Sequence, residues 1–229
     1  MNSIEIYIVV EGTTERTFVQ DVLAPELAIK NIFLHASVIG KPGHKGGDVR
    51  FDRAAKDIGN FLKLRKDIYV STMFDFFRID SNWPGKKKIQ GKIKEGRALP
   101  AIKKAKILED ETYNEIVEQF SQYNAETRFI PYIEMHEFEA LLFSDADILA
   151  EKIGIKKAVI QEVVEAYDNP EEINDDPEKA PSKRLEKLSV GYRKVAMGKI
   201  ISEAIGIQTI RKKCHHFNTW LTTLEKLKR

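Results

Sequence analysis

Residues 4–15 read Ile4-Glu5-Ile6-Tyr7-Ile8-Val9-Val10-Glu11-Gly12-Thr13-Thr14-Glu15. The first seven are a short β-branched run, and it stops abruptly in a polar turn. A run of that length and composition is a buried strand, because both its faces must be covered. Beyond the turn, Phe18, Val22, Leu23 and Leu27 recur at helical spacing, so a helix over 14–30 follows, with Thr13 as its N-cap. The chain therefore opens strand, tight turn, helix, and the turn carries two acids four residues apart.

The same pattern repeats downstream. IFLHASVI at 32–39 is a second strand, followed by the glycine-rich loop GKPGHKGGD at 40–48. Residues 50–64 are helical, and IYVSTMF at 68–74 is a third strand that ends at Asp75. The stretch 76–100 is irregular and basic, and 101–124 fits a long helix. RFIPYIE at 128–134 is a fourth strand, with Pro131 arguing for an edge position or an early bend. HEFEALLF at 136–143 starts another helix. Alternation of strands and helices predicts an α/β fold with a mainly parallel sheet flanked by helices. After about residue 145 the strand signal disappears, and 146–168, 182–190, 192–205 and 207–228 all have helical patterns. The expected organisation is an α/β core over 1–145 and a helical C-terminal region over 146–229 packed on it.

Composition narrows the function classes. A chain of 229 residues with 42% hydrophobic and 31% charged residues is globular rather than disordered. The net charge of +2 excludes a polycation, so a nucleic-acid partner needs a local basic patch. The lone Cys214 has no disulfide partner within the chain and is expected as a small buried residue in a reducing compartment. The N-terminal residues lack the pattern of a signal peptide, and no stretch approaches the roughly 20 apolar residues of a membrane span. A cytoplasmic protein is expected, with no membrane partner. The sequence sets no oligomeric state.

In an open parallel sheet, ligands bind beyond the carboxyl ends of the strands. There the first strand delivers Glu11, the third Asp75, and the fourth Glu134, His136 and Glu137. Hard divalent cations take carboxylate and water oxygens, and Mg²⁺ or Mn²⁺ so held can polarise a phosphodiester. Glu15, one helical turn from Glu11, faces the same pocket. Each acid has a plainer explanation: Glu15 complements a helix dipole, Asp75 caps a turn, His136 is a hydrogen-bonded structural histidine. Glu139 is expected to be an exposed helix residue. Three strand ends all placing acids on one edge favour the metal site, with Glu11, Glu15 and Asp75 as ligands and Glu137 completing the shell.

Val10-Glu11-Gly12-Thr13-Thr14-Glu15 after an apolar strand resembles the first motif of TOPRIM domains, and Glu15 is similar to the extra acid of overcoming-lysogenization-defect (OLD) nucleases. Across nearly the whole length the chain resembles a TOPRIM-like family, domain of unknown function 4276. The resemblance rests on VEG-x-TE, HKGGD, TMFDFF with WPG, IEMHEFEALLFSD, PSKRL and IRKKCHHFNTWL. It implies a TOPRIM-like fold, a Mg²⁺ or Mn²⁺ cofactor, Glu11 as metal ligand or general base or acid, an ATPase partner, and an effector role in defence. The second TOPRIM motif, Asp-x-Asp, is broken: Asp75-Phe76-Phe77 has a phenylalanine in the place of its second acid. Glu137, or else Glu134, would have to replace that acid; one metal or two is left open.

A polyanion needs cations to displace its counterions. Three segments supply them: Lys45 with Lys41 and His44, Lys87 within a run from Lys86 to Arg97, and Lys183 with Arg184. Trp83 is either a packing anchor or a platform for an unpaired base. His215 and His216 beside Cys214 lack the paired spacing of a zinc site. The leading expectation is a divalent-metal-dependent nuclease cutting DNA or RNA. The alternative is a catalytically weak binding or effector module working with an ATPase partner. A third is an enzyme of small nucleotides.

Overall fold

The computed structural model describes residues 3–40, 49–173 and 179–227. β1 (Ile4–Val10) is central, with β2 (Ile32–Val38) on one side and β3 (Tyr69–Asp75) on the other. β4 (Phe129–Ile130) and β5 (Ile133–Glu134) both pair with β3, and every ladder is parallel. The expected parallel α/β sheet is present, and all its carboxyl ends lie on one edge.

The turn after β1 enters α1 (Thr13–Thr17), which continues through a π-helical stretch, Phe18–Leu23, into α2 (Ala24–Ala28). The N-cap is Gly12 rather than Thr13. The Gly12 N–H donates to the Glu15 carboxylate at 2.8 Å, which satisfies a helix-end donor from within the helix. A Cβ on Gly12 would lie 3.2 Å from that carboxylate oxygen, so glycine permits the close approach.

The two faces of the sheet bury separate apolar clusters, as strand alternation requires. Val9, Val70 and Phe74 pack under α3 (Phe51–Leu64) and α5 (Ala101–Phe120), with α4 (Lys86–Lys94) and α6 (Ala125–Arg128) alongside. Within 76–100, expected to be irregular throughout, Lys86–Lys94 thus form the helix α4. Trp83 is its anchor: the indole is 1% exposed and donates to Thr112 Oγ1 at 2.8 Å, so it is a packing residue and no base platform.

On the other face Ile6, Ile8 and Val10 pack with Phe18, Leu141, Ile201, Phe217 and Trp220. Phe18 comes from the continuation of α1, Leu141 from the 3-10 turn Phe138–Ser144, and the other three from helices after residue 145. The later helices are α7 (Ala146–Ile153), α8 (Lys157–Glu165), α9 (Pro181–Leu188), α10 (Lys194–Ile205), α11 (Ile207–Lys213) and α12 (His215–Glu225). Gly198 on α10 lets that helix close on Phe138, since a Cβ there would come within 2.9 Å of the ring. That contact brings the start of α10 to the carboxyl edge of the sheet. Cys214 is fully buried in this cluster, 3.3 Å from Ser144 Oγ.

Pro131 breaks the fourth strand in two, which is the early bend expected of it. The Thr72 hydroxyl bridges the gap: it accepts the Tyr132 N–H and donates to the Tyr132 carbonyl, both at 2.9 Å. This holds β5 in register, Phe74 opposite Ile133 and Asp75 opposite Glu134. No helix among the described residues is long and apolar enough to cross a membrane.

Candidate functional site

Beyond the sheet the exits of β3 and β5 run side by side, with Phe76 N–H on the Glu134 carbonyl at 2.9 Å and Phe77 N–H on the His136 carbonyl at 3.3 Å. This pairing carries Asp75 and Glu137 to one place. Asp75 Oδ1 accepts the Phe138 N–H at 3.0 Å, and so anchors the 3-10 turn Phe138–Ser144. Glu137 Oε2 accepts the Ser182 N–H at 3.0 Å from the start of α9. Glu11 arrives from β1, close enough for the Asp75 backbone to stabilise its charge. Glu11, Glu15, Asp75, Glu137 and Glu139 are all buried.

Crowding of these acids controls their protonation. Burial, then repulsion from Glu15, raises the Glu11 pKa from 4.5 to about 8. Burial also raises Glu15, although its own backbone and the Gly12 N–H oppose that. Asp75 is pushed well above the ordinary carboxylate range by burial and then by Glu15, Glu11, Glu139 and Glu137. Burial takes Glu139 up to about 7 against the pull of Lys194. The cluster therefore holds protons near neutrality, because burial and mutual repulsion outweigh the pull of the nearby cations.

Two cations reach it from the rim: Arg78 Nε lies 3.6 Å from Glu11 Oε1, and Lys194 Nζ lies 3.6 Å from Glu139 Oε1. Burial works against the Lys194 charge, yet Glu139, Glu137 and Asp75 raise its pKa on balance. Neither ion pair is a hydrogen bond, and Glu11 Oε2 and Glu139 Oε1 are buried with no hydrogen-bond partner.

No three His, Cys, Asp or Glu side chains among the described residues are arranged to hold a metal ion. The acids converge without forming a closed ligand shell. Their chemistry still fits a hard divalent cation: the donors are carboxylate oxygens, some are orphaned, and their mutual repulsion is what such a cation relieves.

Other expected residues fall differently. Glu139, expected on an exposed helix face, is 2% exposed and belongs to the cluster, because the segment is a tight 3-10 turn that faces inward throughout. Glu134 lies apart: its carboxylate takes the Tyr132 hydroxyl at 2.7 Å and the Met135 N–H at 3.0 Å, so it does not supply the missing acid. Phe77, in that acid's place, stacks on His136 at 5.2 Å. Lys87 is exposed on α4; Lys183 is exposed and paired with Glu186 at 3.0 Å. Arg184 donates to the Lys179 carbonyl and the Tyr167 hydroxyl. Lys45, with Lys41 and His44, lies outside the described residues. His216 pairs with Glu109 at 2.8 Å beneath α12. Lys194 and Tyr192, whose buried hydroxyl has no hydrogen-bond partner, face Glu139 and Glu137 and were missed from the sequence. No periodicity or motif marks them, since only the return of α10 to the sheet brings them in.

Fold and site together define an α/β protein with a buried acidic cluster at the carboxyl edge of a parallel sheet. The chain belongs to the family described as Domain of unknown function (DUF4276), which matches residues 10–225. It is similar to one solved structure, the C-terminal region of the Xanthomonas campestris pv. campestris OLD protein. The identity is 16% and the TM-score 0.36, over 95% of this chain and 96% of that one. No curated protein matches the sequence.

Proposed function

We propose that this chain is a divalent-metal-dependent nuclease that hydrolyses phosphodiesters of DNA or RNA. The observation that carries the proposal is the convergence of buried carboxylates beyond three parallel strand ends, two of their oxygens without a hydrogen-bond donor. Glu11, Glu15 and Asp75 would hold Mg²⁺ or Mn²⁺, with Glu137 completing the set. Bound there, the cation would polarise the phosphodiester and stabilise charge on the leaving oxygen. In the alternative role, Glu11 is the general base or acid that takes a proton from water or returns one to the leaving group. Arg78 and Lys194 at the rim offer positive charge to the non-bridging oxygens.

Cleavage of labelled DNA and RNA oligomers, with Mg²⁺ or Mn²⁺ and with EDTA, tests the proposal. Cleavage is expected with metal alone and lost in Glu11→Ala and Asp75→Ala. Metal-dependent cleavage that persists in both variants overturns the assignment.

Phe77 supports a second reading. Its ring, packed on His136, leaves the second position of the Asp-x-Asp motif without an acid. A catalytically weak binding or effector module, working with an ATPase partner, would follow. Sedimentation of a firm complex with such a partner, together with no cleavage in any metal, would favour it.

A further inference from the structure

A cavity of about 490 Å³ opens between the α4–α5 connection and the segment after α8. Ile93, Leu99 and Pro100 form its apolar side, Tyr167 gives an aromatic wall, and Arg97 and Lys104 bring positive charge. Its size and mixed lining suit a small planar ligand that carries an anion. The segment 86–106 on one side holds nine lysines and arginines against one acid, Glu95, so that side of the approach is positive.

Two routes join the cavity to the acidic cluster. Lys104 Nζ lies 6.0 Å from the centre of the Phe76 ring, and Lys86 Nζ lies 3.7 Å over that same ring. Phe76 directly follows Asp75. Along the other route, α9 gives its Ser182 N–H to Glu137 and its Arg184 Nη2–H to the Tyr167 hydroxyl at 3.1 Å. The cavity wall is therefore linked to the acids through Lys104 and Phe76 on one route and through Tyr167, Arg184 and Ser182 on the other. Two carboxylates, Asp168 and Glu172, also line the cavity, and Glu172 accepts the Ala101 N–H at 2.8 Å.

We infer that this cavity seats one unpaired nucleotide of the strand whose phosphodiester lies against the acids. The inference rests on the nuclease reading and deepens it by naming the substrate class: single-stranded nucleic acid, or a duplex with an unpaired end. A base within a duplex is stacked on both faces and enters such a cavity only by being flipped out. An unpaired base brings its flat face to Tyr167 and its phosphate to Arg97 without that cost.

Fluorescence anisotropy in EDTA, with the full chain, tests this without cleavage. The probes are a labelled 12-nucleotide single strand, as DNA and as RNA, and a blunt DNA duplex of the same sequence. The single strand is expected to bind at least about tenfold more tightly than the duplex, from one stacked base. Tyr167→Ala should weaken single-strand binding by roughly five- to tenfold and leave duplex binding unchanged, while Tyr167→Phe keeps it, and Arg97→Gln should weaken single-strand binding by roughly five- to tenfold and duplex binding less. Should Tyr167→Ala fail to fold, the exposed Arg97→Gln decides. Equal binding of strand and duplex, or single-strand binding unaltered in Arg97→Gln, overturns the inference. Displacement of the strand by micromolar adenosine or guanosine monophosphate also overturns it, in favour of small-nucleotide chemistry. The two readings fail separately: strand-selective binding with no metal-dependent cleavage sinks the nuclease, while cleavage of both forms without binding preference sinks the cavity assignment.

Discussion

Two groups of buried acids lie within this fold, and they differ in how their oxygens are used. Beneath α12, Glu171 accepts the N–H groups of His216 and Phe217 at 2.9 and 2.8 Å, and so caps the helix. Glu134 is held by Tyr132 and Met135, and Glu109 by the Ile133 N–H and His216. Both oxygens of Glu171 and Glu134 have a donor. At the carboxyl edge, by contrast, Glu11 Oε2 and Glu139 Oε1 have none, and the acids face one another. Burial raises the pKa in both groups, so a raised pKa does not tell structure from site. Hydrogen-bond saturation does: a satisfied carboxylate is part of the framework, whereas an unsatisfied cluster has capacity left for a ligand.

The sharpest break between the groups is in catalysis. Glu11→Gln and Asp75→Asn should lower metal-dependent cleavage by about 100-fold or more, roughly 3 kcal/mol, with no fall in melting temperature. Glu171→Ala should do the reverse. It strips two charge-assisted hydrogen bonds from the first turn of α12, at a cost of about 2–4 kcal/mol. Scanning calorimetry should show Tm lower by roughly 5–15 °C, with cleavage per folded molecule near normal. Cleavage abolished in a stably folded Glu171→Ala protein would erase the distinction.

The next effect is in pH. Glu11 has a folded pKa of about 8 against 4.5 in the ordinary state, so the folded chain binds the extra proton between those values. Stability from this group is full below 4.5 and falls as pH rises toward 8; Glu139, at about 7, adds the same sign over a shorter window. Metal-free protein should melt at lower temperature at pH 8 than at pH 5. Glu11→Gln should flatten that slope. Mg²⁺, which needs ionised acids, should raise Tm more at pH 8 than at pH 6. An equal Mg²⁺ shift at both values argues against the edge cluster as its site.

Smallest are the surface cations. Lys87→Ala and Lys183→Ala should leave Tm unchanged and each reduce the slope of log affinity against log salt by about one if it meets a phosphate. An unaltered slope removes that residue from the interface.

Much of the frame was legible because its signals are local. The β-branched run before Glu11, the stop at Asp75 and the break at Pro131 each state where a strand ends, and parallel order then places the ends on one edge. The acids of the site follow from that. Glu139 was misplaced because a helical period puts it outward, whereas the segment is a 3-10 turn fixed by Asp75 from a distant strand. The basic run at 86–94 carried too few apolar residues to show a helix, and α4 forms on the anchor of Trp83 and Ile89.

By itself, then, the sequence determined the strand order of acids, the parallel α/β class and the lone buried cysteine, all of which follow from short-range periodicity and residue type. Tertiary structure alone decided that Lys194 and Tyr192 join the acids, that Glu134 leaves them, and that a cavity opens beside Phe76. Those facts depend on which helices return to which edge, and the packing that selects this is a sum of weak apolar contacts between residues far apart in the chain.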